Sequence, residues 1–198
     1  MAKDKQSSDP AAPFTEEQIR AYTIGELAPL SSNILIADYD PRWPELFRRE
    51  SERIRAALGQ GALQIEHVGS TSVSGLAAKP AIDVLLVVAN SADEEAYAPA
   101  LKAAGYVLRI READWHQHRM FNGPDTDINL HVFSAGCPEI DRMLEFRNWL
   151  RSNTADRDLY ARTKRELAQK EWKYVQNYAD AKTLVVEEIM ARARLNRK

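Results

Sequence analysis

The order of apolar and polar positions predicts alternating helices and short strands up to about residue 133. Apolar side chains at helical spacing predict a helix of about five turns from Asp40, ended by Gly59 and Gly61. Shorter helices are predicted after Thr15 and over 93–104. Continuous or alternating apolar runs predict strands over 33–37, 63–68, 81–88, 106–111, 115–121 and 127–133.

Only helices are predicted after Pro138, with divisions near residues 152–153 and 178–180. The strands at 106–111 and 115–121 are expected to form a hairpin. The fold class is therefore α+β: a mixed β-sheet flanked by helices that cover one face, with an all-helical C-terminal third.

The two most regular strands carry polar residues at defined positions. The run 81–88 is nearly all apolar, which is typical of a central strand buried on both faces, and its one polar residue is Asp83. In 127–133 the apolar residues alternate with Asn129 and His131, so these two must point away from the core. We expect Asp83 and His131 to face one cleft on neighbouring strands.

Composition narrows the class of protein. The chain has 198 residues, 44% of them hydrophobic, and a single cysteine, which excludes a disordered chain and a disulfide scaffold. Lys and Arg number 27 against 29 Asp and Glu, so nucleic-acid binding is not indicated. No run approaches the roughly 20 apolar residues of a membrane span, and residues 1–13 do not look like a secretory signal. We expect a cytoplasmic protein without a membrane partner.

The polar N-terminal residues predict the division of the chain. Residues 1–32 are expected to be a tail and a short helix, and residues 33–198 the folded domain. Deleting 1–32 should then leave a folded protein.

The segment between Glu66 and Val84 carries the candidate chemistry. A predicted strand ends in Gly69 and Ser70, and Ser70 and Thr71 offer hydroxyl and N–H groups suited to phosphate oxygens. Asp83 follows on the next strand, where a lone acid is costly unless it pairs or binds a cation. Lys79 lies between them and would add phosphate-binding charge. The alternative is a simple turn beside an aspartate that caps a neighbouring loop.

Other polar residues extend the candidate site. All four histidines lie between residues 67 and 131, where they form either a metal or acid–base cluster around Asp83 or a set of backbone-bonded strand histidines. Arg119 is expected to face the same cleft and bind phosphate. The alternating charges of the C-terminal helices, Lys164 among them, are typical of a solvated face, and Tyr160 is expected in the core.

The segment IEHVGSTSVSGLAAKPAIDVLLVV resembles the signature of the GrpB family of nucleotidyltransferase-like proteins. The similarity extends over about residues 33–192, through DYDPRWPELFRRE, NLHVF, CPEIDRMLEFRNWL and the spacing of Tyr160, Lys164 and Leu167. It implies a fold similar to that of DNA-polymerase-β-type nucleotidyltransferases, and a related domain is fused to some dephospho-CoA kinases. In that superfamily a Gly-Ser loop binds a nucleoside triphosphate, and an Asp-x-Asp pair with a third acid holds two metal ions.

The chain matches that pattern at Gly69, Ser70 and Asp83 but has Leu85 in place of the second acid. A full two-metal set of carboxylates is therefore absent, and a single divalent cation held by Asp83 and His131 is the remaining arrangement. Magnesium is the expected ion, with a transition metal as the alternative. The leading hypothesis is an enzyme that transfers a nucleotidyl or phosphoryl group from a nucleoside triphosphate to an unidentified small-molecule or macromolecular acceptor, with Asp83 and His131 as catalytic residues. The alternative is an inert nucleotide-binding or accessory module.

Overall fold

The computed structural model describes residues 14–196, which contain seven α-helices and five β-strands. The expected tail over 1–13 lies outside the described residues. The helices are α1 (Glu16–Tyr22), α2 (Trp43–Leu58), α3 (Ala98–Ala103), α4 (Pro138–Ser152), α5 (Thr154–Ala168), α6 (Val175–Asp180) and α7 (Thr183–Leu195). The strands are β1 (Gln64–Val68), β2 (Ile82–Val88), β3 (Val107–Glu112), β4 (His118–Asn122) and β5 (Ile128–Ser134).

The five strands form one mixed sheet in the order β1-β2-β5-β4-β3. The central pair β2–β5 is parallel and the other three pairs are antiparallel, including the predicted β3–β4 hairpin. In the parallel pair Asp83 is aligned with Asn129, and Leu85 with His131. The α+β class, the mixed sheet and the all-helical C-terminal third are confirmed.

Helices cover both faces of the sheet, so the expectation of one covered face is wrong. On the first face Val84 and Leu130 pack with Trp43 of α2 and Leu101 of α3. On the second face the buried side chains pack against α4: these are Leu85, Val87 and Phe133, with Ile140 from the helix. In the sequence α2 precedes the sheet and α3 lies between β2 and β3. These two helices cover the face that the C-terminal helices do not cover.

Two predicted elements differ in the structure. Residues 33–37 form no strand, since Ala37 makes only an isolated bridge to Ala78 and the run has no strand beside it to complete a ladder. The helix predicted over 93–104 is a 3₁₀ turn at 94–96 followed by α3. Pro99 explains the break, because its ring would clash with the carbonyl of a residue four positions earlier in a continuous helix.

The segment before α2 packs on the edge strand β3. Thr15 caps α1 through a capping box with Gln18, and Ile19 on that helix is 2% exposed. The N–H of Ile24 donates to the carbonyl of Arg109 on β3. The division of the chain at residue 33 stays a prediction. Among residues 14–196, no helix combines the length and the apolar character that crossing a bilayer requires.

Candidate functional site

The loop after β1 is shaped by Gly69. This residue has φ +66° and ψ −173°, a conformation that is essentially restricted to glycine, and a 3₁₀ turn over 70–72 follows it. A Cβ at this position would collide with the carboxylate of Asp83. Glycine therefore lets the loop lie directly against the acid on β2.

Asp83 is held as a carboxylate within reach of solvent. Its side chain is 28% exposed, and the amide of Asn129 on the neighbouring strand donates to its Oδ1 at 2.9 Å. Burial works to raise the pKa of Asp83, but its polar and charged neighbours, the Asn129 amide among them, outweigh it and leave the pKa below its usual value. The group is therefore charged at neutral pH.

His131 faces Asp83 from β5, as the alternation of that strand predicts. Its Nε2 lies 3.8 Å from Asp83 Oδ1, which is longer than a hydrogen bond. Two ligand atoms at this separation can both reach a cation about 2.1 Å from each of them. Within the described chain no group of three or more His, Cys, Asp or Glu is arranged to hold a metal ion. A cation here would have these two protein ligands and would take its others from bound phosphate and water.

Leu85 occupies the position of the missing acid. It is aligned with His131 but is fully buried against the α4 side of the sheet. An apolar packing contact therefore stands where the resemblance implies a second metal-binding carboxylate.

The four histidines do not form one cluster around Asp83, which rules out the first of the two alternatives for them. His118 on β4 meets His131, with 3.0 Å between Nε2 and Nδ1, and its Nδ1 lies 2.7 Å from a carboxylate oxygen of Glu112. Burial lowers the pKa of His118, so the ring is neutral at neutral pH. His67 stacks on Phe47 of α2, on the other face, and His116 lies in the β3–β4 turn.

The expectation that Arg119 faces the cleft is also wrong. Arg119 follows His118 directly on β4, so its side chain points to the opposite face of the sheet. There it is 4% exposed and pairs with Glu94 at 2.5 Å. A buried, paired guanidinium on that face is not available to a phosphate in the cleft.

Thr71 and Lys79 take different positions at the loop. The Thr71 hydroxyl is 1% exposed and donates to the carbonyl of Ala81, so the structure does not bring it to the cleft. Lys79 remains half-exposed just before β2, where its Nζ contacts a carboxylate oxygen of Asp127 at 2.9 Å. It therefore stays at the rim of the site as an exposed, paired cation.

The C-terminal helices supply a lysine that sequence reasoning placed on a solvated surface. Lys164 on α5 is 2% exposed, and its Nζ donates to the Ser70 hydroxyl at 2.8 Å and to the Ala77 carbonyl. The same Nζ lies 4.6 Å from the centre of the Tyr160 ring, one helical turn earlier. Burial, helped by the charge of Lys182, lowers the pKa of Lys164 to about 6 although Asp83 acts to raise it.

A second lysine, Lys182, lies just before α7. Burial lowers its pKa as well, against the opposing effect of Asp83. The i, i+4 spacing of Tyr160 and Lys164 on one helix face was the available signal for this side of the site. The charges on every face of α5 concealed it.

The comparisons with known proteins agree on one family. A family model described as GrpB protein matches residues 33–192. A UPF0157 protein of Halalkalibacterium halodurans is 62% identical over 193 residues, which is 98% of each chain. A dephospho-CoA kinase of Mycobacterium bovis is 31% identical over 151 residues, covering 63% of this chain and 37% of the kinase.

The comparison with solved structures agrees with the family that the sequence comparisons indicate. The crystal structure of GrpB from Enterococcus faecalis has a TM-score of 0.71 and 30% identity, covering 80% of this chain and 96% of that one. The structure of Cid1 in complex with its short product ApU aligns at 12% identity with a TM-score of 0.48, a likeness too distant to bear on function.

Proposed function

Because this chain belongs to the GrpB protein family, whose model spans the whole site, we propose that it binds a nucleoside triphosphate with one divalent cation and transfers a nucleotidyl or phosphoryl group to an acceptor. One observation carries the proposal. Asp83 Oδ1 and His131 Nε2 face each other at 3.8 Å, beside the Gly69–Ser70 loop and the buried amine of Lys164.

The loop side of the site suits a polyphosphate. The Ser70 hydroxyl and the amine of Lys79 are donors, the buried amine of Lys164 holds the Ser70 hydroxyl from behind, and the charge of Lys182 acts on Asp83. Phosphate oxygens accept hydrogen bonds from such donors and gain most where water is excluded. In this proposal the triphosphate binds against the loop, with its reacting phosphorus towards Asp83.

The opposite side suits a cation. Asp83 and His131 would hold it, and a divalent ion there would neutralise charge on the phosphate oxygens. An oxygen ligand favours magnesium, whereas the imidazole shifts the preference towards manganese or another transition metal. General-base action is the alternative role of His131, because its Nε2 could accept a proton from an acceptor hydroxyl only where it does not hold the cation.

Leu85 favours a second candidate, an inert binding module. A single carboxylate and one imidazole offer fewer charges than a two-metal centre, and the buried leucine leaves no room for another ligand. Such a module would bind nucleotide and cation in the same cleft without turnover.

A thermal-shift screen of nucleoside triphosphates with Mg²⁺ and Mn²⁺ tests binding. We expect the wild type to melt at a higher temperature with both components present, because a ligand that binds only the native state stabilises it. Asp83→Asn keeps the shape, removes the charge and should abolish the metal-dependent part of the shift. The exposed Asp93→Asn is the matched control and should respond like the wild type.

A full metal-dependent shift in Asp83→Asn would contradict the proposed cation site. Product formation then separates the two candidates. Release of pyrophosphate or of a nucleoside diphosphate, followed by ³¹P NMR with candidate acceptors, supports the transferase. Binding without any product supports the inert module.

A further inference from the structure

A line of hydrogen-bonded groups leads from β3 to the proposed cation site. Glu112 contacts His118 Nδ1 at 2.7 Å, and His118 Nε2 contacts His131 Nδ1 at 3.0 Å. The two ring planes differ by 18° and their centres are 5.2 Å apart. The nitrogens thus meet edge to edge, nearly in the plane of both rings, as an N–H···N hydrogen bond requires.

The direction of these bonds follows from the chemistry of the groups. A carboxylate only accepts, so the proton between Glu112 and His118 lies on His118 Nδ1. A neutral imidazole carries one N–H, which leaves a lone pair on His118 Nε2. The proton between the rings must then belong to His131 Nδ1. His131 Nε2 is left with a lone pair that faces the Asp83 carboxylate.

The surroundings hold His118 in this orientation. Its ring stacks on Phe133 with centres 4.8 Å apart, and Trp115 packs edge-on at 5.4 Å. The preceding turn places His116 and Gln117 at φ +54° and +52°, which is uncommon for residues other than glycine. Such strain persists only where the surrounding packing imposes it, and here it lies directly before His118.

We infer that Glu112 and His118 are positioning residues, which fix His131 in the Nδ1–H form so that its Nε2 lone pair and the Asp83 carboxylate jointly offer two acceptors to one cation. Only the part of the inference that concerns the cation rests on the proposed function. The hydrogen-bond direction is a property of the protein alone. Carboxylate–histidine pairs behind a metal-binding histidine act in this way in other proteins.

The tautomers can be read directly in the metal-free protein. Long-range ¹H–¹⁵N correlation spectra of the ¹⁵N-labelled wild type at pH 8 should show His118 and His131 both protonated on Nδ1. His131 protonated on Nε2 in the wild type would overturn the inference without any variant.

Two variants separate positioning from packing. His118→Phe keeps an aromatic ring against Phe133 but removes the acceptor, so His131 should become a mixture of both tautomers. His118→Gln supplies an amide oxygen that can accept from His131 Nδ1–H and should restore the wild-type form. An unchanged His131 tautomer in a folded His118→Phe would contradict the role of His118.

Binding of Mn²⁺ alone, followed by electron paramagnetic resonance, connects the tautomer to the cation. Loss of such a supporting partner typically costs about 10- to 100-fold in metal affinity, so we expect that loss in His118→Phe and its recovery in His118→Gln. Equal Mn²⁺ affinity in His118→Phe and the wild type would overturn the link to the cation. A wild type with the expected tautomers that binds neither Mn²⁺ nor nucleotide would sink the proposed function while leaving the hydrogen-bond direction intact.

Discussion

The backbone of Gly69 lies against the carboxylate of Asp83, with no space for a Cβ between them. The loop could not approach the acid if residue 69 carried a side chain. Sequence alone indicates a glycine beside a hydroxyl-rich loop, but it does not reveal that the aspartate itself requires the glycine.

Gly69→Ala should therefore lower both stability and ligand binding. The left-handed backbone costs about 1–3 kcal/mol for a residue with a Cβ, and the collision with Asp83 adds to this cost. Gly75→Ala is the matched control, since Gly75 has φ +77° but nothing within 4 Å of its Cβ position. Urea unfolding of both variants measures the difference, and equal losses would show that the collision is relieved without cost.

Sequence patterns locate most elements but not their partners. Alternation in 127–133 correctly orients Asn129 and His131, because a strand with one apolar face allows a single solution. The prediction for Arg119 is wrong because it places this residue in the same cleft as His118, whereas adjacent residues of a strand point to opposite faces. Lys164 was missed because burial of a lysine depends on what packs on the helix, which here is the Ser70 loop.

The segment 14–32 is bound to the sheet, although its sequence predicts only one short helix there. Leu30 donates its N–H to the carbonyl of Lys173, and Thr23 bridges Ile110 on β3. The contacts of Thr23 and Ile24 cover part of an edge strand that would otherwise expose unpaired backbone groups, whereas the Leu30 bond ties the segment to the connection between α5 and α6.

Deleting residues 1–32 should leave a cooperative but less stable domain. The deletion removes the burial of Ile19, whose truncation to alanine in the full chain should by itself cost about 2–4 kcal/mol. Deleting only residues 1–13 should preserve the contacts described for 14–32 and is the control. Calorimetry of the three proteins tests this ranking, and loss of a cooperative transition after deletion of 1–32 would place the domain boundary before α1.

At the scale of the whole molecule, the buried Lys164 makes stability depend on pH. Its pKa is about 6 in the folded protein against 10.5 ordinarily, so between these values the unfolded chain binds a proton that the folded protein does not. Stability therefore rises with pH across this window, by at most about 1.4 kcal/mol per unit from this group.

Lys164→Met has no group that can titrate at this position. Its free energy of unfolding should therefore lack the part of the rise with pH that comes from Lys164. We expect the stability of the wild type relative to Lys164→Met to increase from pH 6.5 to pH 9 in urea unfolding. Lys182 is present in both proteins, so its contribution cancels except for its repulsion with Lys164, which only the wild type contains. The exposed Lys170→Met is the control and should follow the wild type at every pH, whereas parallel curves for Lys164→Met and the wild type would mean that Lys164 is charged in the folded state.

The contact between Lys164 and Ser70 also determines when the site can be completed during folding. The two residues are 94 positions apart, and the second bond of the amine, to Ala77, spans 87. During synthesis on the ribosome the loop emerges long before α5, and the ends of so long an intervening segment must be brought together before the amine can reach it. A growing chain can thus assemble strands while the loop proposed to bind phosphate still lacks its lysine, which the last third of the chain supplies.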